Sequence, residues 1–360
     1  MKASPTLPWW TVAAPVVAWL LFAGSKLGLG GMFSPLLAAG LLWTVVAGVH
    51  HAEVVAHRVG EPFGTLVLAV AVTIIEVSLI VSLMLAGGEQ TAALARDTVF
   101  SAVMLILTAI LGLCLLLGGL RHREQVFTLQ GATAALTTLA AISVLTLVLP
   151  NYTTTQPGPA YSAGQLLFIA AVSLVLYGTF VLVQAVRHRD YFLPEGADGD
   201  EEAHAPPPPV RLTAQSGVLL PVCLVAVVLL AKALAPDIEA GVAAMGAPKS
   251  LVGIIIAAVV LLPEGLAAVQ AARADRLQTS LNLALGSALA SIGLTIPAVA
   301  LVSLLTGMTL TLGIDMKSMV LFLLSLFVAF LSLSTGRTTV LQGTVLLVIF
   351  GVYLLTAVVP

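Results

Sequence analysis

The chain has 360 residues, of which 59% are hydrophobic and only 9% charged, with a mean hydropathy of +1.09. An ordinary soluble domain carries about 25% charge, so this composition excludes one and requires a polytopic membrane protein. The net charge of −2 excludes little, because the placement of Lys and Arg in short loops matters more than their sum. Both cysteines, Cys114 and Cys223, fall inside apolar runs, where they read as small buried hydrophobes rather than a disulfide or a thiolate metal site.

With about 20 mostly apolar residues per span, the sequence predicts an all-α protein with about 11 transmembrane helices. They fall at 9–29, 34–57, 62–87, 98–118, 129–149, 165–187, 215–234, 248–271, 278–305, 317–334 and 339–358. The first is too long for a signal-peptide core and no A-x-A site follows it, so it reads as a span. The segment 188–214 interrupts the series with Asp190, Glu195, Asp198, Asp200, Glu201 and Glu202, followed by the proline run 206–209. Such a segment reads as a solvated, semi-rigid linker. It divides the chain into an extra N-terminal helix (1–33), a first five-helix repeat (34–187) and a second (215–360). An odd number of helices per half turns the halves over relative to each other, which predicts inverted repeats.

Basic residues set the expected orientation. Lys2, Arg58, Arg121, Arg123, Arg187, Arg189, Arg211, Arg273, Arg276 and Arg337 fall on the N-terminal side, against Lys26, Arg96, Lys232, Lys249 and Lys317 on the other. That asymmetry predicts a cytoplasmic N-terminus and a cytoplasmic acidic linker.

Two spans carry an acid near their middle: Glu76 in the stretch 62–87 and Glu264 in the stretch 251–270. An ionisable group at that depth is costly, and marks a site for a proton, a cation or a partner. Thr65, Ala69, Thr73 and Glu76 follow each other at helical spacing on one face. Pro263 and Gly265 flank Glu264, which predicts a break in the helix ladder whose freed carbonyls are available to a cation. On the following helix Ser280, Ala284, Ser287, Ser291 and Thr295 recur every three or four residues, with Gln278 and Asn282 at its start. Ser101, Thr108 and Gly112 form a sparser stripe in the first half. Packing seam and oxygen-donor face are both consistent with these hydroxyls.

His50, Glu53 and His57 share a face at the end of the second span, beside His51, which suits proton relay before metal binding. They lack the H-E-x-x-H order of a zinc protease. Glu61 before Pro62 reads as a helix cap. No phosphate-binding loop, dinucleotide fingerprint or nucleophile elbow is present, so nothing points to an enzyme, a cofactor or a nucleic-acid partner. The partners implied are the lipid bilayer, inorganic cations and protons.

The stretches GEPFGTLVLAVAVTIIEVSLI (60–80) and LLPEGLAAVQAARADRLQTSLNLALGSALASIGLTIPAV (261–299) resemble the two alpha repeats of the bacterial calcium (sodium, potassium)/proton antiporters, in the calcium/cation antiporter superfamily. The resemblance implies an inverted-repeat fold in a bacterial cytoplasmic membrane, with one essential acid per repeat binding cation and proton alternately. Carried over here, Glu76 and Glu264 match those acids, and Thr73, Ser287 and Ser291 fall where neighbouring ligands are expected. It implies exchange of Ca²⁺, or of Na⁺ and K⁺, for protons; the acids taken alone also fit a proton-coupled transporter of a small organic solute, although the segments around them are nearly free of aromatic residues. Many members read G-N-x-x-E before each acid. Here the residues are Val72-Thr73-Ile74-Ile75-Glu76 and Leu261-Leu262-Pro263-Glu264, without the Asn amide in either half.

Overall fold

The computed structural model describes residues 7–26, 33–60, 63–87, 91–193, 207–244, 246, 248 and 250–359. Among these it is almost wholly helical. The eleven helices are α1 (Trp9–Ser25), α2 (Ser34–Val59), α3 (Phe63–Gly87), α4 (Leu94–His122), α5 (Leu129–Tyr152), α6 (Ala163–Arg187), α7 (Val210–Ala244), α8 (Ser250–Arg273), α9 (Leu277–Thr306), α10 (Met316–Leu333) and α11 (Val340–Val358). On their described residues, nine of them are long and apolar enough to cross a membrane; α1 has 17 residues. Each sits on an expected span. A two-residue antiparallel ladder, β1 (Gln125–Val126) with β2 (Arg337–Thr338), joins the α4–α5 and α10–α11 connections in the register Gln125 to Thr338. The acids of the linker between 195 and 202, the cap assigned to Glu61, and Lys2 and Lys249 lie outside the described residues.

Several helices pass through features that end helices elsewhere. α7 runs 35 residues across Pro221 and Pro236, well beyond the expected 215–234. α8 runs unbroken through Pro263. This corrects the expected discontinuous helix: a proline removes one main-chain donor, but a helix packed along its length tolerates that loss. Gly253 and Gly265 supply that packing by letting α8 lie close to α4. A Cβ at Gly253 would come 2.9 Å from the Asp97 carbonyl carbon, and one at Gly265 3.2 Å from Ile110 Cδ1.

The chain forms two compact units, and they are not the two sequence halves. One holds α1, α2, α3 and α7; the other holds α4 to α6 and α8 to α11. In the first unit α2 packs on both α1 and α7, with Ala14, Ala47 and Cys223 at the core and Trp10 and Trp43 against them. In the second, α9 packs against α4, α5, α6 and α8, and α4 packs against α8 and α11.

Candidate ion-binding residues

In the first unit, Glu76 is the fourteenth of the 25 residues of α3 and is only 2% exposed; Thr73, one turn before it, is 7% exposed. Ile74, on the opposite side of the helix from Glu76, is 44% exposed. α3 therefore has a buried polar face and an apolar outer one, the pattern of a helix whose acid is withheld from lipid. Thr65, the first member of the expected stripe, has no described side chain.

In the second unit, Glu264 is the fifteenth of the 24 residues of α8, and both its carboxylate oxygens are enclosed by protein. Ser291 is buried and Ser287 half-buried on α9, the helix beside α8. Ser280 and Thr295, from the same stripe, are fully buried; Ser280 lies against the Cys114 thiol, and the Thr295 hydroxyl has no hydrogen-bond partner among the described residues. Thr73 and Glu76 thus share one face of α3, while Glu264, Ser287 and Ser291 lie on two adjacent helices of the other unit.

The remaining candidates are more fully occupied. Gln278 accepts from the Thr128 amide at 2.7 Å and donates to Asn282 Oδ1 at 2.9 Å; Asn282 donates to the Phe192 carbonyl at 2.6 Å. These two amides tie the start of α9 to the start of α5 and to the chain leaving α6. His50 faces Glu53 at 4.0 Å and tilts against Trp10 at 5.5 Å; His57 is exposed. Among the described residues no group of three or more His, Cys, Asp or Glu is placed to hold a metal ion. The stripe of Ser101, Thr108 and Gly112 lies along the contact with α11. Ser101 accepts from the Tyr353 hydroxyl at 2.9 Å, and a Cβ at Gly112 would lie 3.2 Å from the Gly343 carbonyl.

Two features escaped the sequence reading. The first is His51, fully buried, with Nε2 3.2 Å from the Thr11 carbonyl and Nδ1 3.2 Å from Ser216 Oγ. Its signal is Pro15: lacking an N–H, it leaves the carbonyl four residues earlier, that of Thr11, without its helical donor, and the imidazole N–H takes that place. A carbonyl only accepts, so Nε2 carries the proton and Nδ1 accepts from Ser216 in the neutral ring.

The second is a polar cavity of about 170 Å³ in the second unit, lined by Arg96, Asp97, Ser101, Asp315, Lys317 and Tyr353 among others. Arg96 bonds Asp97 Oδ1 at 2.8 Å and the Gly313 carbonyl at 3.0 Å. Asp315 caps α10 through the Ser318 amide. Burial alone would raise the Asp315 carboxyl, but the Ser318 hydrogen bonds and the Lys317 ammonium outweigh it and hold it below the usual carboxylate range.

Residues 32–186 and 216–359 match the sodium/calcium exchanger protein family. The chain belongs to that family. This sodium/calcium exchanger family member is 52% identical over 330 residues to a Sinorhizobium fredii (strain NBRC 101917 / NGR234) protein described as an ionic transporter, y4hA, covering 90% of this chain and 88% of that one. It is 36% identical over 347 residues to the sodium-potassium/proton antiporter ChaA of Escherichia coli (strain K12), covering 96% and 94%. Its fold is that of the Ca²⁺/H⁺ antiporter protein YfkE, with a TM-score of 0.73 at 14% identity, covering 98% of this chain and 100% of that one. The family member is therefore a multi-pass membrane protein of an ion-exchanger family, as the composition and the alpha-repeat resemblance imply.

Proposed function

We propose that the chain is a proton-coupled cation antiporter of a bacterial cytoplasmic membrane, in which Glu76 and Glu264 bind cation and protons in competition. The observation that carries this reading is one enclosed acid at the middle of a span in each half of an exchanger-family chain. Thr73, Ser287 and Ser291 would add neutral oxygens. A bound cation favours the ionised carboxylates and desolvation favours the protonated ones, so the two ligands exclude each other from the same oxygens. Two protons or one divalent ion neutralise two carboxylates, whereas carboxylates with nothing bound keep their charge in a low-dielectric interior and are costly to carry through alternating access. That difference couples the fluxes.

Hard oxygen ligands suit Ca²⁺ or alkali ions. Ca²⁺ is the first substrate of the reading, and the shared fold with a Ca²⁺/H⁺ antiporter supports it. The sodium-potassium/proton antiporter among the relatives supports a second reading, Na⁺ or K⁺ exchange at the same residues. A cytoplasmic N-terminus follows from the basic-residue count, and inverted repeats from five helices in each half. His50, Glu53 and His57, with Gln278 and Asn282, remain candidates for proton or ion entry. Proton flux in proteoliposomes, with Ca²⁺, Na⁺ and K⁺ supplied one at a time, tests the reading. Flux with at least one cation supports it and identifies the substrate; flux with none rejects it.

A further inference from the structure

The middle of α4 departs from α-helical geometry. Across Leu105–Ile110 the turn is wide, and the Leu111 amide reaches back five residues, to Ile106, instead of four. A turn of this kind inserts one residue into a helix, and when the ladder returns to four-residue spacing it passes over one main-chain carbonyl. Leu105, Ile106, Leu107, Thr108 and Ala109 are all buried, where a main-chain oxygen left without a donor is costly. Within the wide turn the Thr108 hydroxyl donates to the Met104 carbonyl at 2.5 Å, a local bond that competes with the ladder.

The turn lies at the depth of Glu264. α4 and α8 run side by side in the same direction: Gly253 meets Asp97, and Gly265 meets Ile110. The wide turn Leu105–Ile110 therefore ends where the Ile110 side chain meets Gly265. Gly265 directly follows Glu264. The turns at Val144–Val148 and Val183–Arg187 are also wide, but they fall towards helix ends rather than beside a membrane acid.

We propose that the wide turn of α4 is part of the ion site at Glu264, its passed-over carbonyl serving as a neutral oxygen for whichever ligand the glutamate holds. This inference rests on the cation/proton reading above. A carbonyl accepts a hydrogen bond from a protonated carboxyl and equally ligates a hard cation. Towards an ionised carboxylate with nothing bound, its negative end is repulsive. The same oxygen therefore stabilises both loaded states and disfavours the empty one, and it adds an oxygen ligand where the Asn side chain of related motifs is absent.

The test removes the inserted residue. Deleting Ala109 converts the wide turn to a regular one and leaves both flanks of α4 in register, so the variant should fold with an unchanged midpoint of thermal unfolding. In proteoliposomes, the KM for the cation that drives flux should rise about tenfold with kcat held, and uncoupled proton leak should increase. Deleting Ala185 from the wide turn at the end of α6 is the control, and should leave KM unchanged. If the Ala109 deletion does not fold, Thr108→Val against Thr108→Ser decides: Val should raise KM several-fold, and Ser should restore it. An unchanged KM in the folded deletion, or in Thr108→Val if the deletion does not fold, overturns the proposal. Glu264→Gln, measured alongside, separates the two claims. Retained flux there removes the antiport reading itself, whereas lost flux with an unchanged KM in the turn variants removes only the wide turn's part in it.

Discussion

The buried histidine gives a prediction whose size follows from the structure. His51→Leu keeps a side chain of similar bulk but loses two hydrogen bonds, and leaves the Thr11 carbonyl, freed by Pro15, without a donor. A net hydrogen bond contributes about 1 kcal/mol, and a buried acceptor left alone costs about 1–3 kcal/mol. Because Ser216 can rotate to another acceptor and Leu gains some apolar burial, we expect a net loss of about 2 kcal/mol in the packing of α1, α2 and α7. Pro15→Ala restores a main-chain N–H to Thr11. In that background His51→Leu should cost about 1 kcal/mol less, a coupling large enough to measure in a double-mutant cycle. The assay is built into the chain: the four tryptophans, Trp9, Trp10, Trp19 and Trp43, all lie on α1 and α2, so intrinsic fluorescence during denaturant unfolding in detergent follows this unit. Equal costs in the two backgrounds, within about 0.3 kcal/mol, would refute the role given to the Pro15–Thr11–His51 arrangement.

Other outcomes follow from the second unit. Gly253→Leu places a side chain where even a Cβ would lie 2.9 Å from the Asp97 backbone; overpacking of this kind costs about 1–3 kcal/mol and should shift α8 enough to reduce cation-driven flux strongly, as read by transport per folded protein. Asp97→Asn removes the charge partner of Arg96, whose side chain is only 21% exposed. Breaking a partly buried pair should cost about 2 kcal/mol, seen as a lower unfolding midpoint, and Arg96→Met with Asp97→Asn should recover part of it. Asp315 titrates below its unfolded value, so its contribution is complete above about pH 4 and is lost as pH falls through the lower folded value. Hydrogen exchange at the first turn of α10, corrected for its intrinsic pH dependence, should be flat from pH 8 to 5 and rise only below about 4.

Much of this architecture is legible in the sequence because hydropathy reports directly on membrane burial. All eleven helices sit on the expected stretches, and Glu76 and Glu264 are enclosed as their cost in lipid requires. What the sequence hides are contacts between distant residues. α4 begins at Leu94 rather than 98, and Arg96 in its first turn reaches the Gly313 carbonyl; α7 continues past Lys232 and Asp237 to Ala244. Pro263 marks a break in isolation, but α8 stays continuous with Gly253 and Gly265 packed on α4. The wide turn in LILTAI has no sequence signature at all. Likewise His51 is indistinguishable from its neighbours His50 and His57 until Pro15 on another helix explains the carbonyl it binds.

The central claim is that one cation and the protons compete for Glu76 and Glu264. Its most direct test is proton release on cation addition to purified protein in lightly buffered detergent solution, for the wild type, Glu76→Gln and Glu264→Gln. The account predicts stoichiometric release from the wild type with the transported cation, and loss of that release in either variant while the fold is retained. Undiminished release from either variant would contradict it.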